Sequence, residues 1–547
     1  MLSYSHFGRL LVASLLVLVA ASASAQSFRV QCPAGTVAHP ATVPDATYST
    51  FTQWGRTDGL LNPTPDMANP NIKCQQISGG DGFVTMGDGV QTYLFGFGPL
   101  SGLADMANGL PGTQPASIFN ADSSLNLGSI FIGAPVDQGN NSNSGYTFNG
   151  AIGQVPDVDA NNGTGTAGAP IDGHVDPRLI MDVGVMNANQ PAPMMAIDED
   201  DEFFLTLTNV GQVMRPDLFE QHTVHFHGYP NASAFYDGVP DASIAINIGG
   251  SFTYYYLAPE AGTYFWHCHI SPPEHLQMGM VGQIYVRPRQ NRVPAGGSLY
   301  SALTAANVAN AGGGTGATCN DILCTGQTPL PPTNSVTRTN NKSGTPTLYA
   351  YNDGDGSTRY DVEYPIQMMG FDPNFHFVGM TFNPESYADM KDKFFLLNGR
   401  SYPDTINPNL MTTQSTDGTL HASQPLPTII NIPAGGRALL RISDLDVTEY
   451  QTLASLGIPM KVIALNARLL RDMAGNDMSY TTNSITLAGG ESLDVILDAT
   501  GYAAGQKFYL YTPNLDHLSN DAENFGGLMT EVNICTSVNP ITKACGI

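Results

Sequence analysis

Short runs of alternating apolar and polar residues, separated by Gly, Pro, Asn and Asp, dominate the chain. In residues 251–257, Phe252, Tyr254 and Tyr256 fall on one side of an extended backbone, and Thr253, Tyr255 and Leu257 on the other. That period of two is the mark of a strand, whose successive side chains point to opposite faces of a sheet. Pieces at 202–209, 222–227, 242–248, 262–267 and 282–286 are rich in Phe, Tyr, Thr, Val and Ile and predict further strands. A second β-rich region runs from 346 to 536, with strands expected at 394–397, 428–432, 437–442, 460–464, 492–497 and 507–511. No long stretch carries a helical period. The pattern predicts an all-β chain of two Greek-key β-sandwich domains with a loop-rich N-terminal extension.

The domain boundaries follow from where the pattern weakens. Residues 26–81 form the extension, 82–290 the first domain, 291–345 an Ala/Gly/Thr/Pro-rich linker, 346–536 the second domain and 537–547 a tail. Strand-like pieces at 82–86, 91–97 and 129–132 are set among Gly, Asn, Asp and Pro, and 137–173 reads as loop. The acidic cluster at 198–202 reads as a solvated strand entry, with cation docking the less favoured alternative.

Composition narrows the function classes. The 547 residues include 22 basic and 47 acidic ones, a net charge of -25, which argues against nucleic acid or an anionic membrane as partner. Arg9, the apolar run 10–20 and Ala23-Ser-Ala25 predict a secretory signal over residues 1–25, too short to span a bilayer, and hence a periplasmic or secreted protein. Of seven cysteines, setting Cys268 aside leaves six, an even number for an oxidising compartment. Local pairing suggests Cys32–Cys74, Cys319–Cys324 and Cys535–Cys545, although spacing does not fix connectivity.

The chemistry is concentrated in two stretches, His222-Thr-Val-His-Phe-His-Gly228 and the run from Tyr264 to Met280, which contains His267-Cys-His269, His275 and Met280. Alternation places His225 and His227 on one face and His222 on the other; His267 and His269 share a face opposite Cys268. His222 and Cys268 can then turn inward, where His275 and Met280 complete a mononuclear blue copper, two imidazoles and a thiolate with a weak axial thioether. His225, His227, His267 and His269 turn outward together as half of a second metal site. Met181, Met186, Met194 and Met195 are soft enough for cuprous ion, but their irregular spacing favours packing.

These motifs resemble those of the multicopper oxidases, His-x-x-His-x-His-Gly and His-Cys-His followed by His and a Met or Leu. The resemblance implies cupredoxin-like domains over 82–536, with its specific motifs between 222 and 280. Phe394-Phe-Leu-Leu-Asn-Gly-Arg-Ser-Tyr-Pro403 is similar to a recurrent domain opening in that family. Ser271-Pro-Pro-Glu274 lengthens the interval between Cys268 and His275, somewhat as in copper nitrite reductases. By the same resemblance, Asp237 matches an acid that assists proton delivery; Asp-Gly is equally a turn signal.

The second domain aligns as a repeat with its ligands erased. Ile458, Lys461 and Ile463 fall on the three histidines of the first motif, Pro513 on Cys268, and Thr512 and Asn514 on its neighbours. A full oxidase of the family surrounds three coppers with eight histidines, four per domain, and only four are visible here. A homo-oligomer or another protein is therefore expected over the outward histidine face. His517 is the best candidate donor from a second copy, though a surface-loop histidine is slightly favoured. The leading function is a secreted copper-dependent oxidoreductase that oxidises phenols or low-valent metal ions one electron at a time, with oxygen as acceptor. The alternatives are a blue-copper electron carrier and a nitrite-reductase-like enzyme. His225 weakens the last, because it stands where those enzymes place a catalytic aspartate.

Overall fold

The computed structural model describes most of residues 71–119, 186–292 and 347–546, with isolated positions around Cys32 and at Lys342. The first domain is built from β1 (Ile72–Thr85), β2 (Gln91–Pro99), β3 (Gln114–Pro115), β4 (Met195–Asp198), β5 (Glu202–Gly211), β6 (His225–His227), β7 (Ser251–Leu257), β8 (Gly262–His267) and β9 (Val281–Arg287). One sheet runs β2-β1-β5-β7, with β3 on the edge of β1, and the other runs β4-β9-β8-β6. Their inner faces bury Ile77, Phe95, Leu205, Tyr254, Trp266 and Ile284 in one core. The Trp266 indole lies flat over Gly282, where an added Cβ would meet its ring at 2.4 Å, so only glycine fits.

Three local expectations change. β1 starts at Ile72, ahead of the expected 82, and pairs in parallel with β5. Its centre, Ser78-Gly-Gly-Asp-Gly82, lacks strand-forming side chains, so only its partner strand reveals it. Residues 242–248 are not a strand; they hold a single bridge, Ile246 to His222. The Ser271-Pro-Pro-Glu274 insertion is not plain loop but opens a short helix, Pro272–Gln277, with proline at its permissive first positions.

The acidic cluster is also not solvated. All five side chains from Asp198 to Glu202 are buried. Arg289 pairs with Asp200 at 2.6 Å and Glu199 at 3.5 Å, Lys73 with Asp201 at 3.5 Å, and Tyr255 donates to Glu202 at 2.8 Å. Buried charges persist only when paired in this way. Met194 and Met195 pack in apolar clusters, as their spacing suggested. Cys32–Cys74 and Cys535–Cys545 are disulfides, and Cys268 is a buried free thiol. Residues 1–25, 129–132, 137–173, Met181 and the Cys319–Cys324 pair lie outside the described residues.

The second domain repeats the sandwich. One sheet holds Val362–Phe371, Phe394–Leu397, Arg437–Asp444, Met460–Leu465 and Glu491–Asp498; the other holds Ile430–Pro433, Gln451–Leu456, Ser484–Leu487, Lys507–Tyr511 and Met529–Cys535. Its core is one apolar cluster around Ile366, Leu440, Leu453, Val495 and Val532. β8 and β9 of the first domain lie against it through buried polar contacts. Gln283 donates to the Arg441 carbonyl at 3.0 Å, and Thr263 donates to Asp494 at 2.5 Å. His376 is wedged between the carbonyls of Tyr93 and Gln277 in the first domain.

Asp392 closes the seam: its carboxylate accepts from Gln277 at 2.9 Å and from Thr448, whose hydroxyl also reaches Asp446. Burial, reinforced by Asp446, pushes the Asp392 carboxyl up to about 8. The folded chain therefore holds this proton more tightly than the unfolded chain does. The resulting stability is complete below about pH 4, the ordinary carboxylate range, and is lost as pH rises through the folded value. Asp392→Asn should flatten that loss, seen as a Tm that varies less than wild type between about pH 5 and 9; an unchanged pH profile would refute the assignment.

Candidate metal centre

β8 delivers Cys268 and the helix Pro272–Gln277 delivers His275 to the same point. The Cys268 amide donates to the Met280 carbonyl at 3.1 Å, and the Met280 amide donates to the His275 carbonyl at 2.8 Å. This pair of bonds folds the loop back, so Met280 and His275 lie beside the cysteine. His222 arrives from the other side, held by two backbone bonds to Ile246 at 3.1 and 3.0 Å. The side chains of His222, Cys268, His275 and Met280 are all fully buried. Among the described residues, His222, Cys268 and His275 form the group whose donor atoms all lie within 4.8 Å of one another.

The donors are prepared for a metal. Both ring nitrogens of His222 are buried without a hydrogen-bond partner, an arrangement that is costly unless something else satisfies them. His275 turns Nδ1 to the Cys268 sulfur at 3.3 Å and Nε2 toward Glu220 at 3.6 Å. Burial alone would push the Cys268 thiol up, but the His275 and His222 imidazoles outweigh it and hold the thiol well below its usual range. The thiolate in turn, with Glu220, overcomes the burial of His275 and lifts it to about 9. A sulfur, two nitrogens and a nearby thioether in a closed apolar pocket suit copper better than hard cations, so the residues fit the predicted mononuclear site.

The outward set also assembles. His225 lies with its ring centroid 5.3 Å from His267, 5.0 Å from His269 and 5.7 Å from His227. The register of β6 and β8 causes this, pairing His225 with His267 and His227 with Phe265. These four rings spread more widely than the inner group and do not converge on one ion. His225 holds Nδ1 on the Asp237 carbonyl at 2.7 Å, with the Asp237 carboxylate 3.6 Å away. His267 holds Nδ1 on the Cys268 carbonyl at 2.7 Å. Both bonds fix the tautomer that leaves Nε2 as the donor. Burial pushes His267 down to about 3, so it stays neutral at any ordinary pH.

Sequence reading missed three supporting residues. The Thr223 amide donates to the Cys268 sulfur at 3.4 Å, and its hydroxyl accepts from the His269 amide at 2.9 Å. Glu220 faces His275. Gly79 lets the His222 ring approach β1, where a Cβ would lie 2.7 Å from its Cδ2. The only signal for Glu220 and Thr223 was their adjacency to His222, and Gly79 gave none.

The second domain aligns differently from the sequence expectation. Ala454 pairs with Tyr511 as His225 pairs with His267, and Leu456 with Tyr509 as His227 with Phe265. Gln451, Ala454 and Leu456 therefore stand at the three histidine positions; Ile458, Lys461 and Ile463 do not. Thr512, not Pro513, stands at the Cys268 position, with Tyr511 and Pro513 beside it in place of Thr512 and Asn514. The shift is legible in sequence once seen: Glu449-x-Gln-Thr, Gly457 and Pro459 repeat the spacing of Glu220-x-His-Thr, Gly228 and Pro230. His517 is neither a surface histidine nor a free donor. It is buried, stacked on Phe395 at 3.7 Å and bonded to Glu449 at 2.8 Å.

Because the His222 ring fills the space above Gly79, Gly79→Ala should displace it. The expected cost is about 1–3 kcal/mol of stability and about tenfold or more in copper affinity, read by thermal melts and competitive metal titration. Unchanged copper affinity would show that Gly79 does not set the His222 ring.

Residues 173–291 match the family model described as multicopper oxidase. Laccase abr2 of Aspergillus fumigatus is 33% identical over 109 residues, 20% of this chain and 17% of the laccase. A copper-containing nitrite reductase of Neorhizobium galegae is 35% identical over 102 residues, 18% of this chain and 24% of the reductase. The chain thus spans about a fifth of the length of these relatives. The blue copper oxidase structure from Nitrosomonas europaea aligns at 16% identity and a TM-score of 0.44, over 84% of this chain and 85% of that one. It is the stretch carrying both histidine motifs, residues 173–291, that is similar to the multicopper oxidases.

Proposed function

We propose that the chain is a secreted copper-dependent oxidoreductase that takes single electrons from a phenol or a low-valent metal ion and passes them to oxygen. The observation that carries this reading is the back-to-back arrangement of the two histidine sets. Cys268 lies in the inner pocket, while its covalent neighbours His267 and His269 belong to the outer set. A copper held by His222, Cys268, His275 and Met280 would supply reversible one-electron chemistry.

The chain's own residues do the rest. His275 presents its Nε2 edge toward partly exposed Glu220, the side from which a reductant would come nearest. The apolar walls, Phe95 among them at 5.1 Å from His275, exclude water from the sulfur. The backbone on either side of Cys268 is the short covalent path from the inner pocket to the outer imidazoles. At the outer set, the partly exposed Asp237 carboxylate next to His225 can hold and release the protons that oxygen reduction consumes.

Four imidazoles are half of what the family uses, and the second domain adds none: Ala454, Leu456, Tyr511 and Pro513 stand at its corresponding positions. A partner that brings its own histidines over the outward face would complete the site, with extra copper in the contact. His517 is not the residue that completes it in a homo-oligomer, being buried and bonded within its own domain. The same lack of second-domain ligands favours, as a second reading, an electron carrier that uses the inner copper alone.

Copper-loaded protein should be blue or green, and Cys268→Ser should abolish the colour while leaving the circular dichroism unchanged. A colourless, copper-loaded wild type would end this reading. Changing His225 and His227 together to Ala should lower copper content and any oxidase turnover but spare the colour, because His222 faces the inner pocket. If turnover with phenolic or ferrous reductants survives that double change, the outer set has no part in catalysis. One copper per chain and no turnover would leave the carrier.

A further inference from the structure

We infer that the second domain keeps the frame of a second mononuclear copper pocket, now closed by a Gln451–His517–Glu449 hydrogen-bond set where the first domain has its metal-ligand pocket. The backbone repeats bond for bond. The Thr512 amide donates to the Leu528 carbonyl at 2.9 Å as that of Cys268 does to Met280, and the Leu528 amide donates to the His517 carbonyl at 3.0 Å as that of Met280 does to His275. Thr512, His517 and Leu528 are therefore the counterparts of Cys268, His275 and Met280, and Gln451 is the counterpart of His222.

The side chains repeat as well. His517 turns Nδ1 inward, to Gln451 at 3.2 Å, and Nε2 outward, to Glu449 at 2.8 Å. His275 has the same orientation between Cys268 and Glu220. Gln451, Thr512 and Leu528 are fully buried, and His517 is 3% exposed. Glutamine is close in reach to histidine and threonine close in volume to cysteine, so the pocket has kept its size while losing its thiolate. The Gln451 amide also donates to Asp446 in the acidic seam that Asp392 and Gln277 close against the His275 helix. The polar set thus ties the second domain to the loop that carries the first site.

This inference rests on the inner pocket of the first domain being a copper site, and the experiment separates the two. In full-length protein carrying Cys268→Ser, which silences the first site, Gln451→His and Thr512→Cys are introduced together and cupric ion is added. The expected result is a returned thiolate-to-copper absorption and one more copper per chain than Cys268→Ser alone. Leu528 needs no change, because the axial ligand is weak. A folded variant with no added copper, or with copper but no such absorption, overturns the inference; a colourless wild type overturns the copper reading beneath it. Should the combined variant not fold, single variants decide. The Thr512→Cys thiol should be alkylated about tenfold or more slowly than that of Pro513→Cys, because burial protects it. Equal rates, or the reverse order, would return the cysteine position to 513 and overturn the inference.

Discussion

A cysteine held between two imidazoles inside an apolar core is the constraint on which the first domain depends. Burial disfavours the charge on Cys268, and only the imidazoles of His222 and His275, with the Thr223 amide, make it tolerable. His222 and Thr223 come from one segment, and Cys268 and His275 from another, so the strands that carry them must pair in one register for the pocket to exist. The β6–β8 pairing that brings His222 and Thr223 to the cysteine also sets His225 edge-on to His267. The inner and outer sets are therefore two faces of one strand pairing.

The second domain shows the same frame without that constraint. With threonine at the cysteine position there is no buried thiolate to balance, and a glutamine and a glutamate satisfy His517. The backbone bonds nevertheless persist. The loop geometry is thus set by strand pairing and the return turn, while ligand identity is laid over it. The seam between the domains joins an apolar patch, with Phe265 and Val281 against Met369 and Phe371, to a buried polar chain in which Gln283 donates to the Arg441 carbonyl, Arg441 to Thr263 and Thr263 to Asp494. Such contacts are specific because leaving any one group unpaired costs more than the bond gains.

The all-β class, the two sandwiches and the meeting of His222, Cys268 and His275 were legible in the chain, since alternation and the Cys-His spacing are local properties. His222 and Cys268 could be turned inward from the period of two alone. The acidic run 198–202 could not be read correctly, because its partners Lys73, Tyr255 and Arg289 are distant in sequence. β1 was hidden for a related reason: a glycine-rich parallel strand is defined by its neighbour, and one of its glycines serves the His222 ring.

The repeat in the second domain marks the boundary most clearly. Strand-like apolar runs point to Ile458 to Ile463, because most of that run belongs to a buried strand, Met460–Leu465. The pairing of Gln451–Leu456 with Lys507–Tyr511 shows which strand occupies the histidine position, and so which of two sequence matches holds. Sequence by itself picked out the cysteine and imidazoles that meet in the inner pocket of the first domain, because their order and spacing are local properties of the chain. Tertiary structure alone decided which residues replaced them in the second and whether His517 faces water, because register and burial are properties of strands brought together from afar.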